Sequence, residues 1–296
     1  ILENTQVKNL ISKDKKITGI KIQNKSTEQI INLSRGAILC SGSIMTPHLL
    51  MHSGIGDKEH LKQFDKEIII DNSNVGRNLQ DHLGLDYLFK THHHSLNKSL
   101  GTWPGRITSV LKYIYNRKGP LSLSINQSGG YVNWHSKHHY PNLQTYFNPL
   151  TYSITHKNKR PLLKTDKFNG FIIGYNSCRP KSLGRVALNS PNIEDAPLID
   201  PNFLSHEEDI YDVKCAINFS QVLANTNSIK KIRNESVTHD LLNATEEEMI
   251  DHFKSNAVSI YHPCGTCKMD EDPKKGVVSE RLKVHGMENL WIADAS

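Results

Sequence analysis

The sequence predicts an α/β protein in which two strand-and-helix segments flank a middle region built around an antiparallel sheet. Two observations support this prediction. Short apolar strands alternate with helices near both ends of the chain. Residues 83 to about 165 are instead polar, rich in histidine and irregular, and the strand-like runs in the middle of the chain are widely separated. One domain interrupted by another is the simplest organisation that fits.

The first segment begins with strands. Residues 6–11 and the alternating residues 17–22 flank a Lys-Asp-Lys-Lys turn and predict a hairpin. Residues 29–33 are a third strand candidate. Residues 36–40 form a short apolar run that ends in Ser-Gly, which is typical of a buried parallel strand.

Two helices are predicted next. The first has Thr46 as its N-cap and Pro47 at its first helical position, and Gly54 closes it. The second spans residues 57 to about 64 and leads to a strand at residues 67–70.

The rest of the chain carries clear helix starts. One helix is predicted between residues 103 and 117. Ser-His-Glu-Glu at 205–208 and Thr-Glu-Glu-Glu at 245–248 are capping boxes that open helices to about residue 224 and to residue 255. The remaining strands are predicted at residues 130–134, 143–147, 171–175, 184–188, 282–284 and 290–293.

Composition excludes several classes of protein. With 296 residues, 37% hydrophobic and 22% charged, the chain is long enough and apolar enough for a sizeable core. A formal charge of +6, carried by scattered lysines, predicts no nucleic-acid partner. No apolar run approaches the length of a transmembrane helix. The N-terminus lacks an initiator Met and a signal-peptide pattern, and it resembles the middle of a longer protein.

The cysteines and sequons only weakly indicate the cellular compartment of the protein. Five widely spread cysteines are an odd number and predict no disulfide framework. Asn-x-Ser/Thr sequons favour an extracellular location, although a chain rich in Asn and Ser also produces them by chance. They begin at Asn24, Asn32, Asn97, Asn126, Asn218, Asn234 and Asn243.

Two of four notable stretches lie in the first segment. Residues 42–56 form a strand-turn-helix-turn unit with small residues at positions where backbones approach something closely. Tight packing of a helix on a sheet would also explain them. Residues 75–82, Val-Gly-Arg-Asn-Leu-Gln-Asp-His, are dense in hydrogen-bonding side chains. An exposed polar loop is the alternative there.

The third stretch, residues 261–269, has three interpretations. In the first, Cys264 and Cys267 would be half of a zinc site, but no second Cys-x-x-Cys or paired histidines complete four ligands. The same pair is the spacing of a redox dithiol, which belongs at a helix start after an early strand rather than near the chain end. The third interpretation makes His262 a general base, with the cysteines as small packing residues.

The fourth stretch, residues 289–296, is a strand that ends in Asp-Ala-Ser. Such an end can present backbone N–H groups to an anion at a helix start. A phosphate would repel Asp294, so this side chain is expected to accept hydrogen bonds from sugar-like hydroxyls. An ordinary N-cap is the alternative.

Together these stretches resemble the glucose–methanol–choline (GMC) flavin oxidoreductases. Gly42, Thr46-Pro47, Leu49-Leu50 and Ser53-Gly54-Ile55-Gly56 follow the family's second signature. Residues 75–82 resemble its V-G-R-N-L-Q-D-H segment. Residues 180–186 and 197–204 resemble the start of its C-terminal region, and residues 261–269 its catalytic histidine segment. The style is most similar to the insect glucose-dehydrogenase-like members.

The resemblance implies a function and its residues. The protein would hold FAD and oxidise an alcohol by hydride transfer to the flavin, with His262 as the general base that removes the hydroxyl proton. Tyr261 would lie against the flavin, together with His262. Asp294 and Ala295 match residues that contact the ribityl-diphosphate region, and Val7 matches a strand residue whose backbone bonds the adenine. The final electron acceptor would be oxygen or a quinone-like molecule.

The resemblance also implies a domain layout. Residues 1–84 and 258–296 would be parts of a Rossmann-like FAD-binding domain, interrupted by an α+β substrate-binding domain at 85–257. The family's Gly-rich dinucleotide fingerprint and its last catalytic segment, which supplies a second His or Asn, have no match in this sequence. The alternative is therefore an inactive fragment or degenerate copy without catalysis.

Overall fold

The computed structural model describes residues 1–157, 160–238 and 240–296. They form two compact units. The first comprises Ile1–Asp81, Lys181–His206 and Tyr261–Ser296, and the second His82–Pro180 and Glu207–Ile260. Residues 181–206, which were expected within the substrate-binding segment, therefore belong to the first unit.

Strands and helices follow the predicted order along most of the chain. The strands are β1 (Thr5–Lys13), β2 (Lys16–Asn24), β3 (Thr27–Asn32), β4 (Ala37–Leu39), β5 (Ile55–Gly56), β6 (Ile70–Asp71), β7 (Arg77–Leu79), β8 (Leu83–Lys90), β9 (Ser128–Val132), β10 (Leu143–Asn148), β11 (Tyr152–Lys157), β12 (Arg160–Thr165), β13 (Gly170–Ser177), β14 (Gly184–Ala187), β15 (Leu198–Asp200), β16 (Val258–Ser259) and β17 (Leu290–Ile292). The helices are α1 (Gly42–His52), α2 (Lys58–Lys62), α3 (Leu96–Gly101), α4 (Trp103–Asn116), α5 (Glu207–Ala224), α6 (Asn227–Ile232) and α7 (Glu246–Asn256), and a 3-10 turn spans Pro120–Ser122.

The first unit contains several small sheets. The predicted hairpin is confirmed, because β1, β2 and β3 form an antiparallel sheet in that order. The predicted parallel strand is also confirmed: β4 pairs with β17, and Ile38 lies opposite Trp291. A further sheet has the order β15-β14-β7. This pairing places β14 in the first unit, away from the antiparallel sheet of the middle region.

A buried core joins these sheets to α1. Leu50, Met51 and Leu290 are among its fully or almost fully buried side chains. Asn289, also buried, ties two backbone segments to the core. Its amide oxygen accepts from the Ile17 N–H at 2.7 Å, and its amide nitrogen donates to the Ile17 carbonyl at 2.9 Å. A buried amide that is satisfied in this way fixes the register of β2 against the strand that follows residue 289.

The beginning of α1 differs from the prediction. The helix begins at Gly42, so Thr46 and Pro47 lie inside it rather than at its N-cap and first position. A proline within a helix deprives the carbonyl four residues earlier, here that of Ser43, of its usual donor. The hydroxyl of Thr266 donates to this carbonyl at 2.6 Å, across 223 positions of sequence. The helix can therefore start a turn before its proline.

Two strand predictions were also wrong in extent. The expected strand at 67–70 is reduced to β6, because the N–H groups of Ile69 and Ile70 both donate to the carbonyl of Gly54. Residues 282–284 contribute isolated bridges rather than a strand, through Val284 with Val278 and Lys283 with Trp291.

The second unit is built on a five-stranded antiparallel sheet of order β16-β8-β13-β10-β9. One face of this sheet is aromatic and buried, and on it Tyr175 stacks against Phe253 of α7 with 5.9 Å between ring centroids. The predicted capping box of α7 is present, with Thr245 and Glu248 satisfying each other's backbone N–H groups. The helices predicted near 103–117 and up to 224 are confirmed as α4 and α5.

A polar pair lies among the strands of this sheet. The Tyr146 hydroxyl donates to Asp86 Oδ1 at 2.8 Å. Gly174 faces both residues, and a Cβ atom there would lie 2.1 Å from the Tyr146 ring and 2.4 Å from Asp86 Oδ1. Burial raises the pKa of the Asp86 carboxyl, and the hydrogen bond from Tyr146 opposes that rise. Gly174 therefore provides the space in which this pair forms.

No helix in the described part of the chain is both long enough and apolar enough to cross a membrane.

Candidate active site

Four segments of the first unit are linked by hydrogen bonds near the first turn of α1. They are residues 42–46, 75–81, 261–267 and 293–296, parts of the four stretches that the sequence singled out. The carboxyl ends of the parallel strands β4 and β17 lead directly into two of them. Loops at the carboxyl ends of parallel strands are where open α/β sheets bind their ligands.

Asp294 joins the end of β17 to the start of α1. Its Oδ2 accepts from the Gly42 N–H at 2.9 Å and from the Thr46 hydroxyl at 2.6 Å. Its Oδ1 accepts from the Ser296 N–H at 2.8 Å. Burial raises the pKa of Asp294, but the hydrogen bonds from Ser296, Thr46 and Gly42 outweigh this effect and hold the pKa below its ordinary value. Asp294 is therefore ionised at neutral pH and organises the turn.

The 261–267 segment is bound to α1 in the same way. The Ser43 hydroxyl donates to the Pro263 carbonyl at 2.7 Å, and the Thr266 hydroxyl donates to the Ser43 carbonyl. The Gly265 N–H donates to the Ala295 carbonyl at 3.1 Å. These bonds place the histidine segment beside the residues that follow β17.

Residues 75–82 form a backbone ladder with the histidine segment. The Gly76 N–H donates to the Thr266 carbonyl at 2.8 Å, and Gln80 and Cys264 exchange two backbone hydrogen bonds of 2.9 and 3.0 Å. Gly76 has φ 80°, and a Cβ atom there would lie 2.1 Å from the Val186 carbonyl oxygen. The interpretation of this stretch as a merely exposed polar loop is therefore wrong, because close backbone packing requires its glycine.

His262 and Tyr261 stand at the start of the histidine segment. The backbone N–H of His262 donates to Asp81 Oδ1 at 2.9 Å, so the main chain fixes the position of this residue. The side chain of His262 is exposed, and that of Tyr261 is 80% exposed. Tyr261 also adopts φ 62°, a left-handed conformation that is strained for an aromatic residue. Such strain is concentrated at functional sites.

Backbone donors are available beside Asp294. Among residues 1–157, 160–238 and 240–296, no acceptor is found for the N–H groups of Asp294 and Ala295. Ala295 is exposed, and Asp294 is half-buried. Two adjacent N–H groups next to a helix start suit the oxygen atoms of a phosphate or polyol.

Val7 lies on another part of the first unit. It is opposite Ile22 in the β1–β2 ladder and packs against the buried core. A register shift between Val7 and Asn9 interrupts the ladder. Irregularities of this kind release backbone groups from strand pairing. The adenine contact stays a prediction for this residue.

The two cysteines of the histidine segment have the character of packing residues. Cys267 is buried, and burial raises the pKa of its thiol to about 12. Burial and the nearby Asp81 also raise the pKa of Cys264. A reactive dithiol needs the opposite shift. In the described residues, no group of three or more His, Cys, Asp or Glu side chains is arranged to hold a metal ion.

Replacing Cys267 with serine should reduce the free energy of unfolding by about 1 kcal/mol and leave most of the activity, because a buried thiol acts as a small apolar group. Chemical denaturation and turnover measurements on the purified variant test this. Cys40→Ser is the matched control, since Cys40 is exposed. A folded Cys267→Ser protein without turnover would contradict the packing role and favour a dithiol.

Some residues of the site were not predicted from the sequence. Ser43 and Thr266 connect α1 to the histidine segment, and Asp81 holds the backbone of His262. One local signal pointed to such a partner. Pro47 has no N–H for the Ser43 carbonyl, so a helix that continues through Pro47 leaves this carbonyl to a donor from another part of the chain.

Parallel strands with a helix start at their carboxyl ends are the usual setting of a cofactor site in an α/β protein, and an exposed histidine lies beside them here. Comparison with known proteins agrees. Two family profiles, both described as GMC oxidoreductase, match residues 1–84 and 180–296, about two thirds of the chain. The chain belongs to the GMC oxidoreductase family.

Curated relatives support this assignment. The chain is 32% identical to an alcohol dehydrogenase [acceptor] of Pseudomonas putida over all of its length and 53% of the relative. It is 29% identical to an oxygen-dependent choline dehydrogenase of Cronobacter sakazakii, covering 52% of that protein. The chain thus spans about half the length of the curated relatives it matches.

Solved structures share the fold. A formate oxidase from Aspergillus oryzae RIB40 matches 99% of this chain with a TM-score of 0.88 and 25% identity, over 55% of its own chain. A pyridoxine 4-oxidase from Mesorbium loti matches 99% of this chain with a TM-score of 0.81, over 52% of its own chain. At 23% identity, the second likeness concerns the fold alone. The predicted fold class, with part of a Rossmann-type FAD-binding domain, is confirmed, and family membership assigns FAD as the cofactor.

Proposed function

We propose that the protein oxidises an alcohol with FAD and that His262 is the general base. The observation that supports this most directly is the hydrogen-bonded network that links these four segments. Their hydrogen bonds connect the exposed His262, through residues 263–265, to the exposed Ala295. A proton acceptor and a set of backbone donors are thereby held in one backbone framework.

The residues after β17 fit the proposed cofactor. When bound, FAD supplies the hydride acceptor for the alcohol carbon. The N–H groups of Asp294 and Ala295 would donate to oxygen atoms of its ribityl-diphosphate region. Asp294 Oδ1 accepts one hydrogen bond from Ser296 and can accept another from a cofactor hydroxyl. Tyr261 and Val7 complete the proposed cofactor contacts.

His262 would handle the proton. A neutral imidazole nitrogen accepts the proton of the substrate hydroxyl as the carbon–hydrogen bond breaks. The bond from its backbone N–H to Asp81 fixes the main chain at this residue.

The activities of the relatives indicate the substrate and the electron acceptor only as broad chemical classes. Their printed activities include an alcohol dehydrogenase and an oxygen-dependent choline dehydrogenase. We propose a small-molecule alcohol as substrate, with oxygen or a quinone-like molecule as the final electron acceptor. Similarity to the insect glucose-dehydrogenase-like members and an extracellular location also stay predictions.

Anaerobic reduction of the flavin tests this function. The full-length protein should purify yellow with bound FAD, and a primary or secondary alcohol should bleach the oxidised-flavin absorbance. A tertiary alcohol is the control, because its carbinol carbon has no hydrogen to transfer. A FAD-loaded protein that no alcohol of a broad panel reduces would contradict the proposed activity.

A further inference from the structure

Helix α4 in the second unit turns its apolar side towards solvent. Apolar residues recur along it with helical spacing, at positions 103, 107, 110, 111 and 114. Trp103 is 76% exposed, Ile107 53% and Ile114 65%. A surface helix ordinarily buries such a stripe against its own core. Here the stripe is the outermost face of the helix.

A strip of small residues holds α4 in this orientation. Gly105 approaches α3 so closely that a Cβ atom would lie 2.4 Å from the Ser99 carbonyl oxygen. Ser109, one turn later, is the residue of α4 that is buried, and its hydroxyl donates to the Gly105 carbonyl at 2.7 Å. The Arg106 side chain donates to the Leu100 carbonyl at 2.6 Å. Because the small side faces α3, the apolar side must face outwards.

The charge around α4 is of one sign. Between Asp86 and Asp166 the sequence contains no Asp or Glu, whereas it contains eleven Lys or Arg. Four of these basic residues lie in α4 or directly after it, namely Arg106, Lys112, Arg117 and Lys118. In the described part of the chain none of the four forms an ion pair. On a helical projection, Arg106 borders one side of the apolar stripe, and Lys112 lies on the opposite side of the helix. Arg117 and Lys118 follow the C-terminal end of the stripe.

We propose that α4 is an interfacial helix that docks the protein on an anionic lipid surface. An exposed apolar stripe that contains a tryptophan and has cations along one side and at its end is typical of helices that lie in the headgroup region. The apolar stripe enters the acyl boundary, and the flanking cations stay at the level of the acidic headgroups. Fourteen residues span about 21 Å, too short to cross a bilayer, so the helix lies parallel to the surface.

Charge favours lipid over a second copy of the chain. Two copies that paired through this stripe would bring cationic flanks together, with no acidic residue between 87 and 165 to compensate them. An anionic surface supplies the missing opposite charge. It also covers the apolar stripe without a complementary protein groove.

Vesicle binding tests the proposal. The full-length protein is mixed with phosphatidylcholine vesicles that contain, or lack, phosphatidylserine, and sedimentation measures the bound fraction. We expect binding to the anionic vesicles, weakened by salt, and a shift of Trp103 emission to shorter wavelength. Trp103→Phe identifies the Trp103 contribution against the other tryptophans.

Two variants separate the apolar from the ionic contribution. The double change Ile107→Asp and Ile114→Asp should lower vesicle affinity by about tenfold or more, because both side chains are exposed and carry the stripe. Arg117→Gln with Lys118→Gln should remove most of the preference for anionic vesicles. Val222→Asp in α5, 47% exposed in the same unit, is the matched control and should bind as the parent does. Circular dichroism verifies that each variant is folded.

Three results would overturn the proposal. The first is equal binding to neutral and anionic vesicles. The second is no vesicle binding, with concentration-dependent dimers that the Ile107→Asp and Ile114→Asp double variant abolishes, which would assign the stripe to a second copy. The third is Trp103 emission already at short wavelength without vesicles, which would mean that another part of the full-length protein covers α4.

Discussion

Replacing His262 with alanine should lower kcat by about 10²–10⁴-fold in the full-length protein while FAD content stays near that of the parent. The activity should fall because the alcohol proton loses its acceptor. The cofactor should remain because the proposed FAD contacts of Asp294 and Ala295 are made by groups other than the His262 ring. The fold should also persist, since the ring is exposed and the bond to Asp81 uses the backbone N–H, which alanine retains.

The pH profile distinguishes loss of a base from loss of structure. In the parent, kcat/KM should fall where the catalytic base is protonated, and the His262→Ala profile should lack this limb. His94→Ala is the matched control, because His94 is also exposed. A second proton acceptor in the full-length protein would leave residual turnover. A folded, FAD-replete His262→Ala enzyme with parental kcat would exclude His262 from the mechanism.

Local rules predicted the elements whose partners lie nearby in sequence. The β1–β2 hairpin and the Thr245 capping box were confirmed because alternation and capping are short-range signals. The β4–β17 pair was predicted only as two separate apolar runs, and the structure shows that they are neighbours. The start of α1 was wrong because the donor that permits Pro47 is Thr266, which is far away in sequence.

The net charge of the whole chain does not reveal the basic surroundings of α4 in the sequence. A formal charge of +6 over 296 residues indicates no strong field, yet the acidic residues are absent from the stretch that contains this helix. The spacing predicted the helix, and it could not predict which side faces the protein. That orientation follows from Gly105 and its close approach to the Ser99 carbonyl, a tertiary contact.

For the site, too, the sequence identified residues but not all of their contacts. Sequence patterns identified His262, Asp294 and Ala295, and Asp294 was expected either to accept hydrogen bonds from sugar-like hydroxyls or to be an ordinary N-cap. The structure instead satisfies Asp294 with three hydrogen bonds from its own chain. Its first role is therefore to join β17 to α1, and a contact with the cofactor would use the remaining capacity of Oδ1.

Replacing Asp294 with alanine should reduce the free energy of unfolding by roughly 3 kcal/mol and weaken FAD binding by at least about tenfold. Three donors, the N–H groups of Gly42 and Ser296 and the Thr46 hydroxyl, lose a charged acceptor, and bonds to charged groups contribute about 1.5–3 kcal/mol each before the chain relaxes. The loss of affinity follows because this turn holds the N–H groups that would face the cofactor. Denaturant titration and FAD binding of the purified proteins measure the two effects.

Two further variants and a pH series identify the cause. Thr46→Val removes one of the three bonds with little change in shape and should reproduce part of both losses. Asp195→Ala, which removes an exposed carboxylate of the same unit, should change stability by less than about 0.5 kcal/mol.

Because the pKa of Asp294 is lower in the folded protein, its stabilisation is fully present above about pH 4 and declines as the pH falls through the folded value. The stability difference between the parent and Asp294→Ala should therefore stay constant from neutral pH to about pH 5 and shrink at lower pH. An Asp294→Ala protein as stable as the parent at neutral pH, with unchanged FAD affinity, would show that the three bonds do not hold this turn together.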